Sequence, residues 1–303
     1  RQLQIDSEQL GMTIAADYAD LKGIKARIEG GVGELRLAAV SKRNALGSAL
    51  RAELKKCITT MSHDSAVRCI VLCAEGATFC AGIDLTELSF IGGHSTQVKN
   101  ETRLDAGRAA MLVNESIREF QEFITSFESC TKPVIAAVHG PCVGAGVDLI
   151  TACDIRLCSK AAAFSVREAK VGLAADVGTL QRLPKVVGCT SWVRDLAFTG
   201  RDALADEALR FGLVQEVLGS QEELEAKAMQ LAKMIAANSP LAVAATKDSL
   251  NFSRDHGVAE GLHHIRLLNQ SYLQAPDIAI AVQGFMQKQR PEFPQLPQIR
   301  SAL

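Results

Sequence analysis

No surplus of either charge marks this chain. Its 303 residues set 33 basic side chains against 34 acidic ones, a net charge of -1. That balance removes the electrostatic argument for a nucleic-acid-binding surface, although it leaves room for a local basic patch on a small anion. Every apolar run stops well short of the ~18 to 20 residues of a membrane span. The start, Arg1-Gln2-Leu3-Gln4, has neither Met nor the apolar stretch of a signal peptide, which suggests a trimmed N-terminus. The nine cysteines form no CxxC pair, are odd in number and mostly sit in apolar runs such as Cys69-Ile70-Val71-Leu72-Cys73, so they read as small hydrophobes of a reducing compartment. His63, His94, His139, His256, His263 and His264 show no HExxH or other ligand spacing. No metal or redox cofactor is therefore implied. GxxxxGK(S/T) and GxSxG are absent, and the lone Trp192 reads as packing.

What is present is a globular composition, 48% hydrophobic and 22% charged, able to bury a sizeable core in one large or two small domains. Two alternating runs, Ile24 to Ile28 and Glu34 to Ala38, flank Gly30-Gly31-Val32-Gly33 and predict a hairpin. Helical spacing from Ala45 to Met61 is followed by a buried-strand run from Val67 to Cys73 and a glycine turn at Gly76. Helical spacing returns from Thr96 to Ser129, and Lys132-Pro133 closes it before the strand Val134 to Val138. Strand, turn and helix thus recur. Past residue 188 the pattern is helical, with Ser239-Pro240 and Pro276 starting helices and Pro291, Pro294 and Pro297 stiffening a tail. The fold class is α/β, with a core over residues 1–220 and a helical part over 221–303.

The segment Lys132 to Gly188 carries the chemistry. Inside an apolar, glycine-punctuated run stand three acids that a folding core would not want: Asp148, Glu168 and Asp176. The turn His139-Gly140-Pro141-Cys142-Val143-Gly144-Ala145-Gly146-Val147-Asp148 is built of small residues that let backbone approach a ligand, while the following helix offers free N–H groups. The same glycines also suit close packing of helix on sheet. A dinucleotide fingerprint does not fit, because Gly144-x-Gly146-x-x-Leu149 lacks the third glycine and the acid expected about 20 residues on.

Taken with Phe79-Cys80-Ala81-Gly82-Ile83-Asp84-Leu85, Asp154-Ile155-Arg156 and the stretch from Thr199-Gly200 to Gly212-Leu213-Val214, this turn resembles the enoyl-CoA hydratase/isomerase (crotonase) superfamily over residues 24–293. The resemblance implies a spiral of ββα turns with a helical C-terminal trimerisation region, commonly paired into hexamers. It also implies an oxyanion hole made of two backbone N–H groups, here those of Ile83 and Ala145. Most members have Gly at the second position, a difference that matters little for a backbone donor. Removing a proton alpha to a thioester creates an enolate-like oxyanion, and one preorganised donor is worth about 2.7 to 4 kcal/mol.

Glu168 and Asp176 follow Asp148 by 20 and 28 residues. This pattern, with Gly172-Leu173-Ala174-Ala175-Asp176-Val177-Gly178-Thr179-Leu180, is similar to the Δ3,5-Δ2,4-dienoyl-CoA isomerase branch of that superfamily. Hydratases usually place Glu at both of the first two positions and Gly at the third. Moving a 3,5-diene to 2,4 takes a proton from carbon 2 and delivers one to carbon 6, too far apart for one short side chain. Two carboxyl groups whose titrations are split by burial and mutual repulsion answer that need. The resemblance assigns Glu168 to carbon 2 and Asp176 to carbon 6, with Asp148 as a polar support too short to drive hydration. Without such roles, Asp148 would bond a backbone N–H of its own helix, Glu168 would pair with Arg167 or Arg182, and Asp176 would cap the helix begun at Gly178. Arg182 reads as a fold-stabilising cation.

Further residues enter through the resemblance as CoA contacts: Lys42 and Arg43 in Ser41-Lys42-Arg43-Asn44-Ala45-Leu46, then Ala81, Gly82, Asp84 and Gly144, and Phe285 and Lys288 in the C-terminal phrase. The expected partners are an acyl-CoA substrate and further copies of the chain, with no nucleic acid and no membrane span, and coenzyme A enters only as part of the substrate. The rival readings are a hydro-lyase acting on an enoyl-CoA and a non-catalytic CoA- or RNA-binding member of the fold. Three buried unpaired acids argue against the last. β-Oxidation places the isomerase in the mitochondrial or peroxisomal matrix, and Ser301-Ala302-Leu303 departs from the Ser-Lys-Leu tail in its middle residue.

Overall fold

The structure, a computed structural model, describes residues 18, 20–90 and 104–298. A six-stranded sheet runs in the order β1 (Ile24–Glu29), β2 (Val32–Leu37), β3 (Cys69–Ala74), β4 (Val134–Val138), β6 (Ile155–Ser159), β9 (Val217–Leu218). The first two strands are the expected hairpin, paired antiparallel from Ile24 with Leu37 to Glu29 with Val32. Gly30 and Gly31 turn it with φ of 59° and 82°, values that a side chain resists. All other neighbours in this sheet are parallel. A smaller sheet joins β5 (Pro141–Val143), β7 (Ala163–Ser165) and β8 (Ala203–Leu204).

From β4 to β7 successive strands alternate between the two sheets. After β3 the chain makes a bridge from Cys80 to Cys142 of β5; β4 leads to β5, and β6 to β7. Helices follow, namely α1 (Ser48–His63) after β2, α2 (Ala106–Ser129) after the Cys80 bridge, and α3 (Ala145–Thr151) after β5. This is the expected spiral of ββα turns. The expected helix from residue 96 begins outside the described residues; its described part is α2, capped by Asp105, whose side chain accepts the Arg108 N–H.

The period of two along buried strands divides the core. Ile70, Leu72 and Ala74 join Leu50, Leu54, Ile58 and Met61 of α1 on one face of the large sheet. Cys69, Val71 and Cys73 face the other way, where α7 (Gln221–Ala236) lays Leu224, Ala228, Ala232 and Ala236 against Ile135 and Leu157. Three alanines at four-residue spacing bring this helix close to the strands. The expected boundary at residue 220 therefore falls just before a helix that closes the sheet. Between α3 and α7 lie α4 (Thr179–Val187), α5 (Thr190–Thr199) and α6 (Ala205–Arg210). Trp192 of α5 is a packing residue, stacked 5.0 Å from Phe211 and donating to Glu207.

Three helices complete the chain: α8 (Pro240–Asp255), α9 (Val258–Tyr272) and α10 (Asp277–Gln287). Ser239 caps the first through the Ala242 N–H. Lys247 of α8 is buried, and its ammonium donates to the carbonyls of Phe127 and Lys132 and to Asp154, tying the helix to the sheet. Eight of the nine cysteines are buried as free thiols. Among the described residues no helix is long and apolar enough to cross a membrane.

Candidate active site

Two loops from successive turns of the spiral meet at one point. Leu46 N–H donates to Gly82 O at 2.7 Å and Ala81 N–H to Arg43 O at 3.0 Å, fixing the first loop. Cys80 N–H donates to Pro141 O at 3.1 Å and Val143 N–H to Cys80 O at 2.9 Å, stitching it to the second. Gly82 has φ of 96°, and a Cβ there would stand 3.0 Å from Val143 O and 3.8 Å from Ala145 N. The chain at Gly82, the residue before Ile83, therefore lies against the main chain of Val143 and Ala145. Ala145 opens α3, so its N–H has no acceptor within the helix. Among the described residues the Ile83 N–H has no backbone acceptor either.

Gly144 makes this approach possible, with φ of 53° and ψ of -121°, a combination for glycine alone. A Cβ at Gly144 would lie 3.2 Å from Oε1 of Glu168 and 3.9 Å from Cα of Gly82, which places that carboxyl where the two loops meet. Asp148, one turn further along α3, is fully buried and accepts the Thr179 N–H at 2.5 Å through Oδ1. Among the described residues, Oδ2 of Asp148 and Oε2 of Glu168 are buried without a hydrogen-bond partner. Native proteins leave few such atoms, and those they leave call for a functional explanation.

Burial pushes the Asp148 carboxyl up to about 6, opposed by the Thr179 donors. Burial and then the Asp148 charge push Glu168 up to about 7, and the Asp176 charge adds a smaller push. Asp176 is exposed on the irregular stretch before α4, and partial desolvation raises it above its ordinary value. Glu168 is thus half-protonated near neutrality while Asp148 is mostly ionised, a division suited to general acid and base work.

The alternative roles for these acids are taken by other groups. Asp148 bonds a distant N–H rather than one in its own helix. Arg167 turns to Ser165 and Asp202, and Arg182 to Glu128, leaving Glu168 unpaired by either. The cap of α4 is Gly178 without side-chain help.

Beside the two loops opens a cleft of about 330 Å³ that Arg43, Thr78, Ala81, Val143 and Arg167 help to line. Lys42 and Asp84 point to each other across 2.7 Å, and the Lys42 ammonium, with Thr86, holds the Asp84 carboxyl down to about 2. Phe285 and Lys288 line neither place; they stand at the end of α10, with Phe285 86% exposed. Sequence reasoning gave Arg167 no place along the cleft and Thr179 no role beside Asp148, because Asp202 and Asp148, their partners, are 35 and 31 residues away. No group of three His, Cys, Asp or Glu side chains that could hold a metal occurs among the described residues.

Comparison with known proteins adds independent findings. The human mitochondrial Delta(3,5)-Delta(2,4)-dienoyl-CoA isomerase is 46% identical over 244 residues, 80% of this chain and 73% of its own length. The peroxisomal protein of the same name from Arabidopsis thaliana is 40% identical over 279 residues, 92% of this chain and 98% of its own. Among solved structures, an enoyl-CoA hydratase from Bacillus anthracis superposes with a TM-score of 0.79 at 28% identity, covering 90% of this chain and 99% of its own. An enoyl-CoA hydratase/isomerase from Cupriavidus metallidurans CH34 superposes with a TM-score of 0.79 at 29% identity, covering 93% and 100%. The family model described as enoyl-CoA hydratase/isomerase matches residues 27–296, so both the glycine turn and the three acids fall within it, and the chain belongs to the enoyl-CoA hydratase/isomerase family.

Proposed function

We propose that the protein isomerises 3,5-dienoyl-CoA thioesters to 2,4-dienoyl-CoA in the oxidation of unsaturated fatty acids, as the names of its human and Arabidopsis relatives suggest. The observation that carries the reading is the third acid: Asp176 stands near enough to Glu168 for its charge to raise Glu168. The thioester oxygen accepts the N–H groups of Ile83 and Ala145. Glu168 takes a proton from carbon 2, and the electron pair spreads as a trienolate whose oxygen charge those donors hold. Asp176 gives a proton to carbon 6, the carbonyl reforms, and the double bonds now lie at 2 and 4. Atoms balance with one proton gained by Glu168 and one lost by Asp176, and no redox or metal group enters a step.

In the resting site the proton sits on Glu168 below pH about 7. An acyl chain lying over exposed Asp176 strips water from it and raises it further, which favours the form with the proton on Asp176. Asp148 supports Glu168 through its charge and holds Thr179; with one oxygen so engaged, it is poorly placed to drive a water onto carbon 3. The cleft beside Arg43, Ala81 and Gly82 receives the CoA arm. Lys42 and Asp84, paired with each other, shape its rim, while Phe285 and Lys288 reach CoA on a neighbouring copy. The helical part beyond residue 220 supplies the contact of a trimer or hexamer, and the exposed Phe285 and Met286 support this. The relatives' names suggest a mitochondrial or peroxisomal matrix protein.

The test is ultraviolet growth of the 2,4-dienoyl-CoA chromophore from a 3,5-dienoyl-CoA, with 2-enoyl-CoA hydration as the control. Conversion that falls ~10²- to 10⁴-fold in Asp176→Asn, the range of a lost general acid, is the expected outcome. Brisk hydration without conversion would make the protein a hydratase.

A further inference from the structure

Asp176 must stand at a fixed distance from Glu168, yet it lies on a stretch with no regular structure between Val171 and Thr179. Two glycines of positive φ, Gly172 and Gly178, bracket that stretch and give it backbone freedom. Something outside it has to fix the acid.

The restraint comes from α2. Gln121 Nε2 donates to the carbonyl oxygen of Asp176 at 2.6 Å. One and two turns on, along the same helix face, Thr125 and Glu128 take hold of Arg182 in α4: Nη2 donates to Thr125 at 3.0 Å and to Glu128 at 2.7 Å, and Nε to Glu128 at 3.1 Å. Arg182 in turn lies across Gly178, where a Cβ would be 2.0 Å from its Nη1. On the inner side, Thr179 N–H is held by Asp148. The Thr179 and Arg182 contacts fix the start of α4. Gln121 alone of these reaches the residue that carries the acid.

We infer that Gln121 is a positioning residue for the reaction, setting where the Asp176 carboxyl stands by holding its backbone carbonyl. The inference rests on the isomerase reading and goes beyond it, since Gln121 touches no reacting atom. The two ends of the reaction separate the roles. Proton removal at carbon 2 belongs to Glu168 and needs nothing from Asp176, whereas delivery at carbon 6 does. Loosening Asp176 should therefore uncouple them.

Two variants of the full chain test this. Gln121→Met keeps length and removes the donor; Gln121→Lys keeps an N–H that can reach the same carbonyl. Each is assayed for diene conversion and, in deuterium oxide, for deuterium uptake at carbon 2 of recovered 3,5-dienoyl-CoA. In Gln121→Met, kcat for conversion should fall about ten- to a hundredfold, the scale of a misplacement near 1 Å. KM and carbon-2 exchange should stay within about twofold, and Gln121→Lys should recover most of the loss. Conversion unchanged in Gln121→Met, or conversion and exchange falling together, would overturn the inference while the isomerase reading stands. A wild-type protein that converts no 3,5-dienoyl-CoA would remove both.

Discussion

Replacing Glu168 by Gln measures what the site takes from the fold. Its carboxyl, ordinarily titrating at 4.5, is pushed to about 7 by burial and then by the Asp148 charge. Between those values the native protein holds more protons than the unfolded chain. The fold therefore has its full stability below pH 4.5 and loses part of it as pH rises through about 7. At about 1.36 kcal/mol per pH unit the gap corresponds to ~3 kcal/mol, and solvent reaching this half-buried side chain reduces it to ~2 kcal/mol. Gln has nearly the same shape and cannot ionise. The stability of Glu168→Gln relative to wild type should thus grow by ~2 kcal/mol between pH 4.5 and about pH 8.5, even as isomerisation is lost. Urea unfolding at a fixed protomer concentration, followed by the single buried Trp192, reads this directly. A difference that stays level across that range would refute the claim that Glu168 is held protonated by its surroundings.

With one proton shared between Glu168 and Asp176, as proposed, kcat/KM for dienoyl-CoA should be bell-shaped, with its alkaline limb near about 7 and its acid limb set by Asp176. A rate that holds level past pH 9 would show that a single ionised carboxylate suffices. Gly144→Ala places a methyl group 3.2 Å from Glu168 on a backbone of φ 53° and ψ -121°; it should cost ~1–3 kcal/mol of stability and slow turnover at least about tenfold, and a variant as active as wild type would contradict the geometry. Light scattering should give wild type the mass of a trimer or hexamer and give Phe285→Glu a smaller one, since Phe285 and Met286 are 86% and 77% exposed on one chain. A monomeric wild type would leave that apolar end unexplained.

What was legible in the sequence was local. Gly30-Gly31 announced a hairpin because its turn needs positive φ, and Ser239-Pro240 announced a helix because the hydroxyl caps it. The three acids stood out because carboxyl groups have no place in an apolar run unless they are used. The illegible parts depend on partners far away in the chain. Strands of two or three residues, such as Ala203–Leu204 and Ala163–Ser165, are too short to show a period. The stripe Leu224, Ala228, Ala232, Ala236 signals an apolar helix face without saying that a sheet lies beneath it, so the boundary at 220 cut ahead of an element of the core. Lys42 looked like a phosphate ligand because nothing local revealed Asp84, 42 residues on. Gln121 looked like any polar residue of an amphipathic helix.

The stitching of Cys80 to Pro141 and Val143, and of Leu46 and Ala81 to the neighbouring loop, is made wholly of main-chain hydrogen bonds. The placing of the Ile83 and Ala145 backbones therefore asks of the side chains around it chiefly that Gly82 and Gly144 carry none. Acids can be gained, lost or shortened around that fixed pair without disturbing it. In this architecture the proposed grip on the carbonyl would be inherited with the backbone, and the choice of reaction would be a separable trait, written in a few carboxylates and free to vary one residue at a time.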